Sequence, residues 1–213
     1  MIDVLRNDVR WFEVAAVFVT AAGFHVTRAL DAETWFIASA ILGWLAYAGI
    51  LAWRCDGAAR GWGFRADGLG RAFAGVSLVM LPFLAGLAAL GAALGGLRWS
   101  PHLLWILLLY PAWGIVQQFL VQAMVVSNLT RVRALAKPLP LALVGGVLFS
   151  AVHVPSLPLM GATFALGCAF VPLYLRWRNL WPLGLWHGWL GALFYYWVLM
   201  RDPWAEMLKQ VGG

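Results

Sequence analysis

Mostly apolar runs, at about 11–29, 34–53, 72–96, 102–130, 139–153, 157–176 and 180–200, follow one another with only short polar connections. A helix needs roughly 20 apolar residues to cross a bilayer, and in lipid each backbone N–H must find its carbonyl within the same segment. The pattern therefore predicts an all-α membrane protein of about seven transmembrane helices, organised as a single membrane domain over residues 1–213. Composition agrees, since 63% of the residues are hydrophobic and 11% charged, a balance that would leave a soluble globule with large exposed apolar patches. Thr20-Ala21-Ala22-Gly23 offers the small residues of a signal-peptide cleavage site, yet the first run reads as an uncleaved first span.

The net charge of +6 would suit a nucleic-acid partner only if the basic side chains formed one face or stripe. They lie instead in the connections, and their distribution follows the positive-inside rule. With the N-terminus cytoplasmic, the inner segments hold Arg6, Arg10, Arg54, Arg60, Arg65, Arg71, Arg131, Arg133, Lys137, Arg176 and Arg178; the outer ones hold only Arg28, Arg98, Arg201 and Lys209. The excess thus belongs to membrane orientation and anionic headgroups, and nucleic acid is excluded as a partner.

Several features call for packing explanations. Cys55 and Cys168 are far apart and in no CxxC pair, so no disulfide framework or thiolate metal site follows. The tract Leu84 to Gly96 carries no polar group that could do chemistry and reads as lipid-facing or close-packed helix. Several of the 14 tryptophans sit near expected interfaces, where an amphipathic ring is at home. Trp186 and Trp189 flank His187 and are candidates to line a cavity for an aromatic or isoprenoid ligand.

Polar side chains inside spans are expensive and by default mark function. Three groups occur: Gln117, Gln118 and Gln122 on the fourth span, Phe149 and His153 near the end of the fifth, and His187 and Gly191 in the seventh. Four-residue spacing puts Gln118 with Gln122, Phe149 with His153, and His187 with Gly191 on shared helix faces. Gly184, Gly188 and Gly191 leave a bare strip on the last span that would let a neighbouring backbone approach beside His187. Each histidine taken alone is expected to be a neutral imidazole satisfied by a backbone carbonyl or by a glutamine amide.

The order Gln117-Gln118-Phe119-Leu120-Val121-Gln122, then Phe149-Ser150-Ala151-Val152-His153, then His187-Gly188-Trp189-Leu190-Gly191 resembles the EExxxR, FxxxH and HxxxN series of the CPBP family. That family includes the type II CAAX prenyl endopeptidases and the Abi-type bacterial membrane proteins. Arg178 to Pro182 ahead of His187 is also similar, as is the proline-containing turn Val154 to Pro158. The likeness is detailed over about 113–195, within a family-like core of about 102–200, and it implies a multi-pass protein of the bacterial inner (cytoplasmic) membrane.

The resemblance further implies that a glutamate of the first motif serves as base for a water, helped by two histidines and an asparagine, or that the set holds a metal. At the matching positions this chain has Gln118, an amide that orients a water but takes no proton, with Gln122 for the arginine and Gly191 for the asparagine. Losing carboxylate and arginine together is coherent, because either alone would be an uncompensated buried charge. No Asp or Glu lies between Asp67 and Asp202, and Glu13 is the only acid expected inside a span.

Two histidines with amide oxygens make a poor zinc site, and nothing in the spacing demands a haem or chlorin ligand; the sequence specifies no cofactor. Two functions follow. One is a non-proteolytic subunit that holds a membrane partner: a hydrophobic peptide, a lipid or isoprenoid, or a larger membrane-protein complex. The other is an intramembrane endopeptidase in which His153 and His187 act without the glutamate. A transporter has little support, since no inverted repeat or paired intramembrane charge is visible.

Overall fold

A computed structural model describes residues 9–206, so Arg6 and Lys209 of the charge asymmetry lie outside the described residues. Among the described residues the regular structure is entirely helical: α1 (Trp11–Ala29), α2 (Glu33–Arg54), α3 (Ala58–Trp62), α4 (Leu69–Ala93), α5 (Pro101–Gln118), α6 (Ser127–Leu129), α7 (Pro138–Ala151), α8 (Leu157–Trp177) and α9 (Leu180–Leu193). Two π-helical segments, Phe119–Val126 and Phe194–Val198, follow α5 and α9. Each apolar run of the sequence coincides with helix to within a few residues. Glu33–Arg54, Leu69–Ala93, Pro101–Leu129 and Leu157–Trp177 are each long and apolar enough to cross a membrane, and α7 is a shorter apolar helix.

The surface fits a lipid environment. Helix α2 has no buried residue, and Trp35, Leu42, Leu45 and Trp53 stand exposed along it. Side chains of this kind are soluble only against hydrocarbon. The multiple long apolar helices make this an integral, multi-pass membrane protein.

The chain forms two compact units, one from the chain up to Arg65 with Phe119–Asn179, the other from Ala66–Gln118 with the chain from Leu180 onward. In the first, α7 and α8 meet at glycines: a Cβ on Gly167 would stand 2.7 Å from the Gly145 oxygen and 2.8 Å from Gly146 Cα. Lipid tails are as apolar as leucine, so helices associate in a membrane by such close packing rather than by escape from water. The N-terminal end of α1 is held by Glu13, 2% exposed, which pairs with Arg10 at 2.6 Å. Glu13 also accepts from Tyr47 Oη and from Asn128 Nδ2 at 2.6 Å.

In the second unit α5 and α9 cross at Gly114, Gly184 and Gly188. A Cβ on Gly188 would lie 2.5 Å from both Cα and N of Pro111, and one on Gly184 would lie 2.6 Å from Ile115 Cα. The expected strip holds at these two positions but not at Gly191, where a Cβ meets nothing within 4 Å. The four-residue step that links Gly184 to Gly188 leads next to Ala192, which is fully buried, whereas Gly191 is turned away by the 3.6-residue period. The Leu84–Gly96 tract is close-packed toward its end, because a Cβ on Gly91 would stand 2.9 Å from Trp197 Cβ.

The far end of this unit is clasped by polar contacts. His102 Nδ1 meets Asp202 Oδ2 at 2.7 Å, Arg98 donates to the Met200 oxygen at 3.0 Å, and Trp105 stacks on Trp204 with centroids 6.0 Å apart. Burial alone would push the Asp202 carboxyl up, but hydrogen bonds from Ala205 N–H and His102, with the His102 charge, hold it below the usual carboxylate range.

Gly188→Ala should lower stability by about 1–3 kcal/mol through overpacking, whereas Gly191→Ala should be neutral or stabilising by up to ~1 kcal/mol; thermal unfolding in detergent separates them. Because the Asp202 carboxyl is depressed in the folded state, its contribution is complete above the unfolded carboxylate pKa, about 3.9, and is lost as pH falls below it. Thermal midpoints measured on acidification below about pH 4 should therefore fall for the wild type and stay flatter for Asp202→Asn.

Candidate functional site

Helix α5 delivers Gln117 half-buried and Gln118 with no exposed surface. Gln118 is one turn beyond Gly114, and His187 is one turn beyond Gly184, so both follow the glycine crossing along its stripe. The backbones approach closely enough there for a glutamine side chain to span the gap. Gln118 Nε2 donates to His187 Nδ1 at 2.9 Å, both groups being buried. Accepting at Nδ1 requires an unprotonated nitrogen, so the imidazole is neutral and carries its proton on Nε2. This is the glutamine–imidazole bond expected from the sequence, made between α5 and α9.

His153 belongs to the other unit and follows the last turn of α7. Its Nδ1–H donates to the Phe149 carbonyl at 2.6 Å, one of the helix C-terminal oxygens that lack an intrahelical donor. The neutral ring therefore keeps its lone pair on Nε2, the opposite tautomer to that of His187. Phe149 itself is 2% exposed and forms part of the core. Gln122 is fully buried and lies in the π-helical segment Phe119–Val126, where i→i+5 bonding widens the turn.

The tryptophans beside His187 are packed. Trp186 donates to Ser77 Oγ at 2.9 Å, Trp189 donates to the Leu107 oxygen at 3.1 Å, and the two rings meet edge to face. Their polar edges thus tie α9 to α4 and α5, the behaviour expected of buried indoles. Gly191 faces open space. Among the described residues no three His, Cys, Asp or Glu side chains gather in a way that could hold a metal ion.

Sequence reasoning passed over two residues. Asn128 donates to Glu13 and to the Met124 oxygen, and its Oδ1 accepts from Arg10 N at 2.9 Å and Arg131 at 3.1 Å. An asparagine closing an apolar run beside Arg131 was the available signal. His25 Nε2 meets the Ala151 oxygen at 3.0 Å, a contact between residues 126 apart in sequence that no local pattern announces.

Replacing Gln118 by leucine would leave the His187 ring without its amide donor in a buried setting. The expected loss is about 1–3 kcal/mol, read as a lowered unfolding midpoint in detergent. Gln118→Glu, which restores an acceptor but removes the donor, should destabilise as well near neutral pH.

No curated protein and no solved structure matches the chain significantly. A family model described as type II CAAX prenyl endopeptidase Rce1-like matches residues 98–193. The match contains Gln117, Gln118, Gln122, Phe149, His153, His187 and Gly191, and it leaves α1 and α2 outside. Over residues 98–193, the chain belongs to the Rce1-like type II CAAX prenyl endopeptidase family within the CPBP group.

Proposed function

We propose that this protein is a non-proteolytic binding or scaffold subunit of the bacterial inner membrane, holding a membrane partner in the region its family uses for peptide hydrolysis. The observation that carries the reading is the buried Gln118–His187 hydrogen bond. The position matching the family's glutamate holds an amide, and an amide accepts no proton from water. The nearest histidine spends its Nδ1 lone pair on that amide. Glu13 offers no substitute base, because Arg10, Tyr47 and Asn128 already engage its oxygens. An uncharged, hydrogen-bonded site of this kind suits an apolar occupant: a hydrophobic peptide, a lipid or isoprenoid, or the helices of a larger complex.

The reading includes one membrane domain with seven crossings and a cytoplasmic N-terminus. Within the first unit, residues assigned to the inner side by charge bond to one another: Arg10 and Arg131 through Asn128, Arg178 to Ser127 at 3.0 Å, and Asn179 to the Arg65 oxygen at 2.9 Å. Within the second, residues assigned to the outer side do the same, as Arg98 with Met200 and His102 with Asp202. Alternating crossings bring each set together.

A second reading rests on His153, whose Nε2 lone pair is left for chemistry by the Phe149 bond. An endopeptidase using His153 and His187 would take its base there. Purification in mild detergent followed by mass spectrometry of co-purifying polypeptides and hydrophobic small molecules separates the two. A stoichiometric partner, retained by wild type and reduced several-fold in Gln118→Leu, is expected. Peptide fragments with one consistent new terminus, abolished by both His153→Ala and His187→Ala, would overturn the binding reading.

A further inference from the structure

The end of α7 is served by two imidazoles, of which only one lies within the family match. Ala151 is the last residue of α7, so its carbonyl lies among the C-terminal oxygens that the helix itself leaves without donors. Val154 N approaches it at 3.3 Å. The shorter bond comes from His25 of α1, whose Nε2–H donates to Ala151 O at 3.0 Å. Two residues on, His153 turns back and donates Nδ1–H to Phe149 O at 2.6 Å. The electropositive edges of both rings thus sit at the negative end of the α7 dipole.

We propose that His25 is a positioning residue for His153: by pinning the Ala151 carbonyl from α1, it holds the last turn of α7 in the shape that directs His153 Nδ1–H onto Phe149 and leaves Nε2 as its basic nitrogen. Apart from the two imidazole bonds, the described contacts of the turn are its own backbone ones, among them Ser156 N–H to His153 O at 3.0 Å. Val152 N reaches the Leu148 oxygen only at 3.4 Å, His153 N reaches Ser150 at 3.0 Å, and Ala151, Val154 and Pro155 are exposed. Without His25 the Ala151 oxygen would keep only its long contact, and the final turn would loosen. His153 would then lose the geometry of its short bond to Phe149. The inference rests on the reading that His153 is a site residue only for its functional meaning; the geometry stands by itself.

The chain has four histidines, so ring-¹⁵N spectra of histidine-labelled protein in detergent resolve each one at a single neutral pH, with no substrate or partner present. In the wild type, His153 should show the proton on Nδ1 alone and His25 the proton on Nε2. His25→Phe, which keeps an aromatic ring but no donor, should turn His153 into a mixture of tautomers while His102 and His187 keep their signatures and so report an intact fold. His25→Gln, whose amide N–H occupies a place close to that of Nε2–H, should restore the single Nδ1–H form, and His25→Asn, one bond too short, should not. If His153 stays wholly in the Nδ1–H form in a folded His25→Phe or His25→Asn protein, or if wild-type His25 carries its proton on Nδ1, the inference is wrong. Co-purification decides the binding reading separately, since these spectra do not depend on whether anything is bound or cut.

Discussion

Where α5 and α9 cross, glycine lies against backbone, and the chemistry of the second unit depends on that contact. A Cβ at Gly114, Gly184 or Gly188 would push the helices apart. In hydrocarbon no hydrophobic effect would press them together again, because lipid tails compete equally well for apolar side chains. Close approach is therefore a condition for the hydrogen bond between Gln118 and His187. Small residues determine how near two helices come, and nearness determines which polar groups can satisfy each other.

The polar side chains of this protein divide into two kinds of work. At helix ends, Glu13, Arg10, Asn128 and Arg131 form one cluster, and His102, Asp202, Arg201 and Glu206 form ion pairs in the other unit. These lie where apolar runs meet polar connections and where charges are cheapest to keep. Deeper in the helices, Gln118 and Gln122 are amides and His187 is a neutral imidazole. Such groups satisfy one another without the desolvation penalty of a buried charge, which is the electrostatic reason Gln118 and His187 can be buried together between two helices.

The two motif histidines differ in a way that residue type does not reveal. His187 spends its Nδ1 lone pair on a glutamine amide, and His153 spends its Nδ1 proton on a carbonyl. One ring is locked as an acceptor toward its neighbour; the other keeps its basic nitrogen. Any account of binding or residual chemistry in this protein has to treat them as unlike groups, and the second of them leans on a helix that the family match does not include.

Sequence by itself determined the helices, their limits to within a few residues, the membrane as solvent, and family membership through three short patterns in order. Those are consequences of local composition and spacing: a 20-residue apolar run in lipid has few alternatives to helix, and a motif is a property of neighbours in the chain. Gly191 shows where local spacing stopped sufficing, because choosing between it and Ala192 as the next contact position required the actual rotation of α9 against α5. Only the tertiary structure decided that Glu13 is spent on Arg10, Tyr47 and Asn128, which tautomer each histidine adopts, and that His25 reaches Ala151. These are contacts between distant parts of the chain, and hydrogen bonding depends on tenths of an ångström that no one-dimensional pattern encodes.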